Sequence, residues 1–137
     1  MTYQRKKAVQ YAHKWAFRRN PAYYNFDGLG GDCTNFISQC IYAGAGVMNY
    51  TPDIGWYYIS PGNRAAAWTG VEFLYRFLVN NRGPGPFAKE LPLSFAALGD
   101  VIQLSFDGIV FSHSLLVVEK EGLLVATHTK DSNYRPL

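Results

Sequence analysis

The sequence predicts a single α+β domain in which helices come first and an antiparallel sheet follows. Apolar residues recur at helical spacing through the first 80 residues, whereas residues 101–129 contain short apolar strands separated by turn residues. The chain has 137 residues, of which 48% are hydrophobic and 16% aromatic. This composition is sufficient for one hydrophobic core without disulfides or metals, so we expect residues 1–137 to form one domain.

Helical periodicity and its interruptions organise the first two thirds of the chain. The predicted helices cover residues 3–19, 32–43 and 65–80. The first helix ends before Pro21, because a residue that precedes proline avoids the α region. Segments rich in proline and glycine connect the helices to each other and to the sheet, namely 47–64 and 83–98.

The last third of the chain has the composition of β-strands. The predicted elements are a strand at 101–106 and a hairpin at 112–129. We expect a two-residue turn at Lys120 and Glu121. In that register His113 lies directly opposite His128, on the same face of the hairpin, with Cβ atoms about 5 Å apart. A slip of one residue would separate the two side chains to opposite faces.

The stretch GLGGDCTNFISQC, residues 28–40, places a cysteine in the first turn of the second predicted helix. Gly30 and Gly31 allow a sharp backbone turn, and Asp32 is a good N-cap residue. The N–H groups and the dipole at a helix start favour an anion and lower the pKa of a thiol. An ionised Asp32 would oppose that effect, so Cys33 as a nucleophile needs a cationic partner.

The second cysteine, Cys40, lies on the apolar stripe of the same helix, and we assign it to the core. Seven helical residues separate the Cα atoms of Cys33 and Cys40 by roughly 10 Å. That distance is too long for a disulfide and unfavourable for two sulfurs on one zinc ion. The sequence therefore predicts no metal site and no disulfide at these cysteines.

A cysteine with two opposed histidines indicates the chemistry of a cysteine hydrolase. Cys33 would attack a carbonyl, and His113 would take the thiol proton and later protonate the leaving amine. A third polar group would hold His113 in the correct tautomer, for which His128 is the first candidate and Asp131 the alternative. His13 lies among the basic residues of the first helix, and we expect it to be structural or solvated.

Stabilisation of the tetrahedral intermediate requires hydrogen-bond donors near the nucleophile. The candidates for this oxyanion hole are the backbone N–H of Cys33 and the side chain of Tyr24 or Asn25. The same groups would also serve an acyltransferase, in which an amine replaces water as acceptor. A peptide- or wall-binding domain that kept the fold and lost turnover is the alternative from another functional class.

Several motifs, spread in order along almost the whole chain, resemble one known family. They include AVQYAHKWAFRRNPAYYNF at the start, GGDCTNFISQC, WYY at 56–58, AWTGV at 67–71, LGDVIQL at 98–104, FSHS at 111–114 and THT at 127–129. The combined pattern resembles the "Putative amidase domain" family of papain-like cysteine hydrolases, which are related to the NlpC/P60 and CHAP wall-cleaving domains.

The resemblance implies a papain-like fold, in which N-terminal helices pack on a small antiparallel sheet and the cysteine opens a helix. Carried over by position, it implies Cys33 and a strand histidine, His113, with His128 as the polar residue on the next strand. It also implies the substrate class, an amide or peptide bond such as that of a peptidoglycan stem peptide, and no cofactor.

The charge pattern is mild and does not indicate a nucleic-acid-binding surface. The net charge is +3, and basic residues are frequent in the first predicted helix. We interpret them as a solvated helix face. The chain contains no signal-peptide core and no apolar run of transmembrane length, so we expect a soluble chain with no membrane partner. A domain of a longer exported or wall-associated bacterial protein is the alternative, and the oligomeric state is not predicted.

Overall fold

A computed structural model describes residues 2–128 and 130–137 of the chain. Its helices are α1 (Arg5–Trp15), α2 (Cys33–Ala45), α3 (Ala66–Thr69) and α4 (Val71–Asn80), with a 3₁₀ helix at Leu93–Phe95. Its strands are β1 (Tyr58–Ser60), β2 (Asn63–Arg64), β3 (Val101–Leu104), β4 (His113–Glu119), β5 (Leu124–Thr127) and β6 (Ser132–Pro136).

The strands form two small antiparallel sheets within the described residues. One sheet has four strands in the order β3-β4-β5-β6, and the other is the β1–β2 pair. Helices precede the larger sheet along the chain, which confirms the predicted α+β class. No helix in this part of the chain is long and apolar enough to cross a membrane.

The central helix is α2, which packs against both α1 and β4. Its apolar positions recur at helical spacing and are buried, namely Phe36, Ile37, Cys40 and Ile41. The helix ends at Gly46, whose left-handed φ of 78° lets its N–H donate to the carbonyl of Tyr42. Cys40 is fully buried, so its assignment to the core is confirmed.

Two tryptophans complete the core beside α2. Trp56 and Trp68 are fully buried, with ring centroids 4.7 Å apart. Their indole N–H groups donate to two polar side chains of α2, to Ser38 Oγ and Asn35 Oδ1, both at 3.1 Å. These bonds satisfy indole groups that would otherwise be buried without partners, which fixes the position of α2 against the connecting segments.

Two predicted helices differ from those observed. The first predicted helix extended to residue 19, whereas α1 ends at Trp15, whose carbonyl oxygen accepts a hydrogen bond from His128 Nε2 at 2.7 Å. The same oxygen accepts a hydrogen bond from the Arg18 N–H at 3.2 Å, so α1 passes into a turn instead of continuing as a helix. The predicted helix at 65–80 is divided at Gly70, which is extended with φ −105° and ψ 126° and separates α3 from α4.

The predicted register of the β4–β5 hairpin is wrong by one residue. Leu116 pairs with Ala126 and Val117 with Val125. The connection is longer than the predicted two-residue turn, because it includes Gly122 and Leu123, which have φ values of 73° and 47°. The left-handed conformation of Leu123, a residue type that seldom adopts it, is not evident from the sequence.

The shift of register separates the two histidines that the sequence placed opposite each other. Continuing the observed pairing assigns Ser114, and not His113, to His128. Thr129, the last residue of the predicted hairpin, lies outside the described residues. His128 follows the end of β5 instead of facing His113 across the ladder.

Strand β6 was not predicted, because its sequence SNYRP is polar, short and ends in proline. Its polar side chains contact α1. His13 Nδ1 lies 3.0 Å from Asn133 Oδ1, and the His13 ring stacks on that of Tyr134 with centroids 4.7 Å apart. The first helix therefore contributes to holding the edge strand in place.

The close approach of α2 to the N-terminal segment depends on Gly44. A Cβ atom at this position would lie 2.5 Å from Tyr3 Cε1 and 2.9 Å from the Gln4 carbonyl oxygen. Alanine normally stabilises a helix relative to glycine. We expect Gly44→Ala to lower the free energy of unfolding by about 1 to 3 kcal/mol, because of this overpacking.

Urea unfolding followed by tryptophan fluorescence measures the change. The matched control is Gly62→Ala, where an added Cβ meets no atom within 4 Å. A Gly44→Ala protein as stable as the parent would show that the N-terminal segment moves away from α2 without cost.

Candidate active site

A cleft of about 160 Å³ lies between the start of α2 and the start of β4. Its walls contain Asp27, Gly30, Gly31, Asp32, Cys33, Ser112, His113 and His128. The structure therefore brings together the three residues predicted from the sequence, Cys33, His113 and His128. The predicted strand register, which placed the two histidines opposite each other, was wrong. A larger hollow of about 500 Å³ borders the 81–87 loop, and its described walls contain neither cysteine nor histidine.

Cys33 is the first residue of α2 and is partly exposed. The preceding Gly30 and Gly31 have φ values of 88° and 100°, in the region that glycine adopts without strain. A Cβ atom added to either glycine would meet no other atom within 4 Å, so the glycines are needed for the turn and not for close packing. The expected glycine turn into a helix that begins at the cysteine is thus present.

Asp32 occupies the N-cap position, but its side chain makes no capping hydrogen bond. Oδ1 instead accepts hydrogen bonds from the Phe26 N–H at 3.0 Å and from Asn35 Nδ2 at 2.9 Å. Oδ2 accepts from His128 Nδ1 at 2.7 Å. The predicted capping by the Asp32 side chain is therefore wrong, because His128, Asn35 and the Phe26 N–H donate to the carboxylate instead.

The Asp32 carboxylate is ionised although it is 1% exposed. Burial raises the pKa of this carboxyl group, and the hydrogen bonds from His128, Asn35 and the Phe26 N–H lower it by more. The resulting pKa lies below the ordinary value of 3.8. A negative charge therefore stands directly before Cys33 in the chain.

His128 faces two oxygen acceptors. Nδ1 lies 2.7 Å from Asp32 Oδ2, and Nε2 lies 2.7 Å from the Trp15 carbonyl oxygen. Both partners are oxygen acceptors, so a ring nitrogen that carries a hydrogen donates it to one of them. Arg19 Nη1 is farther from Nε2, at 3.2 Å. The ring also stacks on Phe36 with centroids 3.8 Å apart.

Arg19 supplies a second cation beside this pair. Its Nε lies 3.4 Å from Asp32 Oδ2. Its guanidinium also bonds both oxygens of Asp131, at 2.8 and 3.0 Å, and both oxygens of Asp27, at 3.1 Å. Three carboxylates thus surround Arg19, and His128 contacts one of them, Asp32.

The site role of Arg19 and Asp27 was missed by sequence reasoning, which placed Arg19 on a solvated helix face. Its position at the end of a basic helix gave no signal of a buried partner. The charged cluster consists of Arg19, Asp27, Asp32, His128 and Asp131. Asp131, the alternative candidate for the third catalytic role, belongs to it through its bond to Arg19. His128 lines the cleft, yet both of its ring nitrogens are engaged elsewhere, so its assignment as the residue that orients His113 stays a prediction.

His113 is the first residue of β4 and is half-buried. Its position is set by β3, where Leu104 is its pairing partner. Phe106, in the loop between the two strands, contacts the imidazole edge-on with centroids 5.3 Å apart. The strand pairing and the aromatic contact position the imidazole at the wall that faces the start of α2.

The proposed side-chain members of the oxyanion hole are not placed in the cleft. Asn25 is exposed, and its Oδ1 accepts a hydrogen bond from the Asp27 N–H at 2.9 Å. Tyr24 donates its N–H to Tyr58, and its carbonyl accepts from Asn35. The first-turn N–H groups of α2, including that of Cys33, have no acceptor within the helix and remain the better candidates.

Asp32 makes the stability of the fold depend on pH. Its folded pKa lies below the ordinary value, so it stabilises the fold above about pH 4 and loses that contribution as the pH falls through the folded pKa. We expect Asp32→Asn to unfold more easily at pH 7, by about 3 kcal/mol, because it leaves His128 buried without its counter-ion. Between pH 6 and 2 the variant should then lose less stability than the parent.

Denaturant titrations across this pH range measure both effects. Asp53→Asn is the control, because Asp53 is exposed and asparagine tolerates its left-handed φ of 67°. Parallel pH profiles for the parent and Asp32→Asn would contradict an ionised, paired Asp32.

The chain is similar in sequence to known proteins. The sequence model of the "Putative amidase domain" family matches residues 2–137. The protein named "Uncharacterized protein YhbB" of Bacillus subtilis (strain 168) is 36% identical over 139 residues, which cover 97% of this chain and 43% of that relative. The chain thus spans less than half the length of this curated relative. No solved structure matches the chain. From its first described residue to its last, the chain belongs to the "Putative amidase domain" family.

Proposed function

We propose that this chain is a cysteine-dependent amidase that hydrolyses an amide or peptide bond through a thioester on Cys33. The observation that carries the proposal is the shared cleft, in which a cysteine at a helix N-terminus and a strand histidine form opposing walls. Family membership supports amide hydrolysis as the reaction class. The cysteine-dependent mechanism is our inference from the cleft.

In this mechanism the Cys33 sulfur attacks the carbonyl carbon while His113 accepts the thiol proton. The carbonyl oxygen becomes an oxyanion, which the first-turn N–H groups of α2 would stabilise. The C–N bond then breaks, and His113 returns the proton to the departing amine, leaving an acyl group on the sulfur. Water, deprotonated by His113, attacks the thioester and releases the carboxylic acid and the thiol. The steps balance without a cofactor.

The charged cluster supports the formation of a thiolate in the cleft. An isolated Asp32 carboxylate beside Cys33 would oppose a second negative charge. The Asp32 oxygens are instead bonded by His128 and approached by Arg19. Because its charge is compensated, the helix N-terminus and a protonated His113 can stabilise the thiolate.

We infer that His128 acts in this mechanism as a positioning residue through Asp32. Its two ring nitrogens contact Asp32 Oδ2 and the Trp15 carbonyl oxygen, so neither is available to orient the His113 imidazole. Asp131 acts one step farther away, through its bond to Arg19.

We further propose that residues 1–137 form a single domain of the papain-like class, related to the NlpC/P60 and CHAP domains. The supporting features are the helix that begins at the cysteine, its packing on an antiparallel sheet and the histidine at the start of a strand. The proposed substrate is a peptide amide, with a bacterial wall stem peptide as the first compound class to test.

The reactivity of Cys33 tests the activated pair without a substrate. We expect iodoacetamide to alkylate Cys33 with a pH midpoint well below 8.5, the value near which a free cysteine titrates. His113→Ala should raise that midpoint, because the thiolate loses its cationic partner. Mass spectrometry of the modified peptides follows the reaction at each pH.

Cys40 is the internal control, because it is fully buried and should stay unmodified while the fold is intact. Equal midpoints in the parent and in His113→Ala would refute the catalytic pair. Modification of Cys40 at the same rate as Cys33 would show that the protein had opened during the assay.

The two candidates for the third residue give different expected profiles. His128→Ala should raise the alkylation midpoint of Cys33, because the Asp32 charge loses its principal counter-ion. Asp131→Ala should remain close to the parent, since Asp131 is exposed and contacts the site through Arg19. Steady-state hydrolysis of a peptide amide by the same variants measures kcat.

The reverse order, with Asp131→Ala the more damaging change in both assays, would assign the third role to Asp131. Cys40 protection again reports whether each variant remains folded.

A further inference from the structure

We propose that the Thr34 hydroxyl donates a hydrogen bond to the Cys33 thiolate, at the end of a directed chain of donors that begins at Gln103 and passes through Ser114. The inference rests on the proposed function, because it assigns these residues to the activation of Cys33. It concerns the contacts of Cys33 with Thr34 and, through Thr34, with the sheet.

The contacts form a continuous line from β3 to the sulfur. Gln103 Nε2 lies 3.3 Å from Ser114 Oγ, and Ser114 Oγ lies 2.9 Å from Thr34 Oγ1. Thr34 Oγ1 lies 3.7 Å from Cys33 Sγ. Thr34 is 1% exposed and Ser114 is fully buried, so bulk water does not compete for these bonds.

The direction of the chain follows from its first member. The Gln103 amide nitrogen can only donate, and it also donates to the Val71 carbonyl at 3.0 Å, which fixes the orientation of the amide. Ser114 Oγ therefore accepts from Gln103, and its own hydrogen is available to Thr34 Oγ1. The Thr34 hydrogen is then available to the sulfur.

The opposite direction is less favourable. If the Cys33 thiol donated to Thr34 and Thr34 to Ser114, the Ser114 hydrogen would need another acceptor. The contacts among the described residues provide none for it. Ionisation of Cys33 removes the thiol hydrogen and leaves only the direction that ends at the sulfur.

The unpaired oxygen at the start of the chain indicates how the chain is held. Gln103 Oε1 is a buried oxygen with no hydrogen-bond partner among the described residues. Rotating the amide by 180° would exchange its nitrogen and oxygen, and the oxygen would then face the Val71 carbonyl. The fold thus tolerates an unpaired acceptor while the amide hydrogens remain directed at Val71 and Ser114.

The chain also connects the two proposed catalytic positions. Thr34 directly follows Cys33, and Ser114 directly follows His113. Their 2.9 Å hydrogen bond therefore joins α2 to β4 immediately beside the nucleophile and the base. Thr34 contacts the reacting sulfur, whereas Ser114 and Gln103 are positioning residues.

The decisive variant is Thr34→Val, which keeps the shape of the side chain and removes the hydroxyl. We expect it to raise the pH midpoint of Cys33 alkylation by about one unit, so that alkylation well below the midpoint slows about tenfold. Thr34→Ser, the matched control, retains the donor and should keep the parent midpoint. Ser114→Ala should give a smaller increase, because Thr34 keeps its hydroxyl but loses the donor behind it.

The same measurements in the His113→Ala background separate this inference from the proposed function. The Thr34→Val shift should persist there, because the hydroxyl acts on the sulfur independently of the imidazole. A parent midpoint that His113→Ala raises, together with parent-like midpoints in Thr34→Val and Ser114→Ala, would overturn the inference and leave the proposed function standing. No effect of His113→Ala, with a Thr34→Val shift, would overturn the proposed function instead.

Protection of Cys40 shows in each case that the variant is folded. If Thr34→Val exposes Cys40, the alkylation midpoint of Cys33 in Ser114→Ala tests the proposal instead. An unshifted midpoint in that folded variant contradicts the directed chain, and a raised midpoint supports it.

Discussion

The ion pair between Asp32 and His128 is the interaction on which the site depends. Both side chains are almost completely buried, and their 2.7 Å contact joins the start of α2 to the residue after β5. His128 also bonds the last carbonyl of α1. Removing Asp32 would leave His128 buried without its partner, and removing His128 would leave the Asp32 carboxylate with Arg19, at 3.4 Å, as its nearby cation. Breaking a buried pair in this way is among the most destabilising changes in a protein. The pair therefore requires α1, α2 and the sheet to meet at one point.

That requirement accounts for two places where the structure differs from what the local sequence favours. The carbonyl of Trp15 bonds His128, and α1 ends there although the sequence favours a longer helix. Asp32 lies at an N-cap position and does not cap, because His128, Asn35 and the Phe26 N–H occupy its oxygens. At Asp32 the contact with His128 uses a carboxylate oxygen that a capping bond would have used, and at Trp15 the contact with His128 adds to a turn bond from the Arg18 N–H.

Sequence reasoning succeeded where local pattern determines structure. The glycine pair and the apolar stripe were sufficient to place Cys33 at a helix start and Cys40 in the core. It failed where a distant partner or a longer turn decides. The hairpin turn contains two more residues than predicted, Gly122 and Leu123, and the ionic role of Arg19 depends on Asp131, which is 112 residues away. No periodicity in a single sequence encodes such a pairing.

The tripeptide Asp32-Cys33-Thr34 connects the cysteine to the charged residues on one hand and to the sheet on the other. Successive helical side chains are about 100° apart, so the residues before and after the cysteine point in different directions. Asp32 is directed to the cations His128 and Arg19, and Thr34 to the hydroxyl of Ser114 on β4. In the chain, Cys33 therefore follows a carboxylate that is paired with cations and precedes a hydroxyl that lies 3.7 Å from its sulfur. A start of α2 displaced by one residue would rotate all three side chains together. The glycine turn that fixes this start is thus as necessary to the site as the cysteine itself.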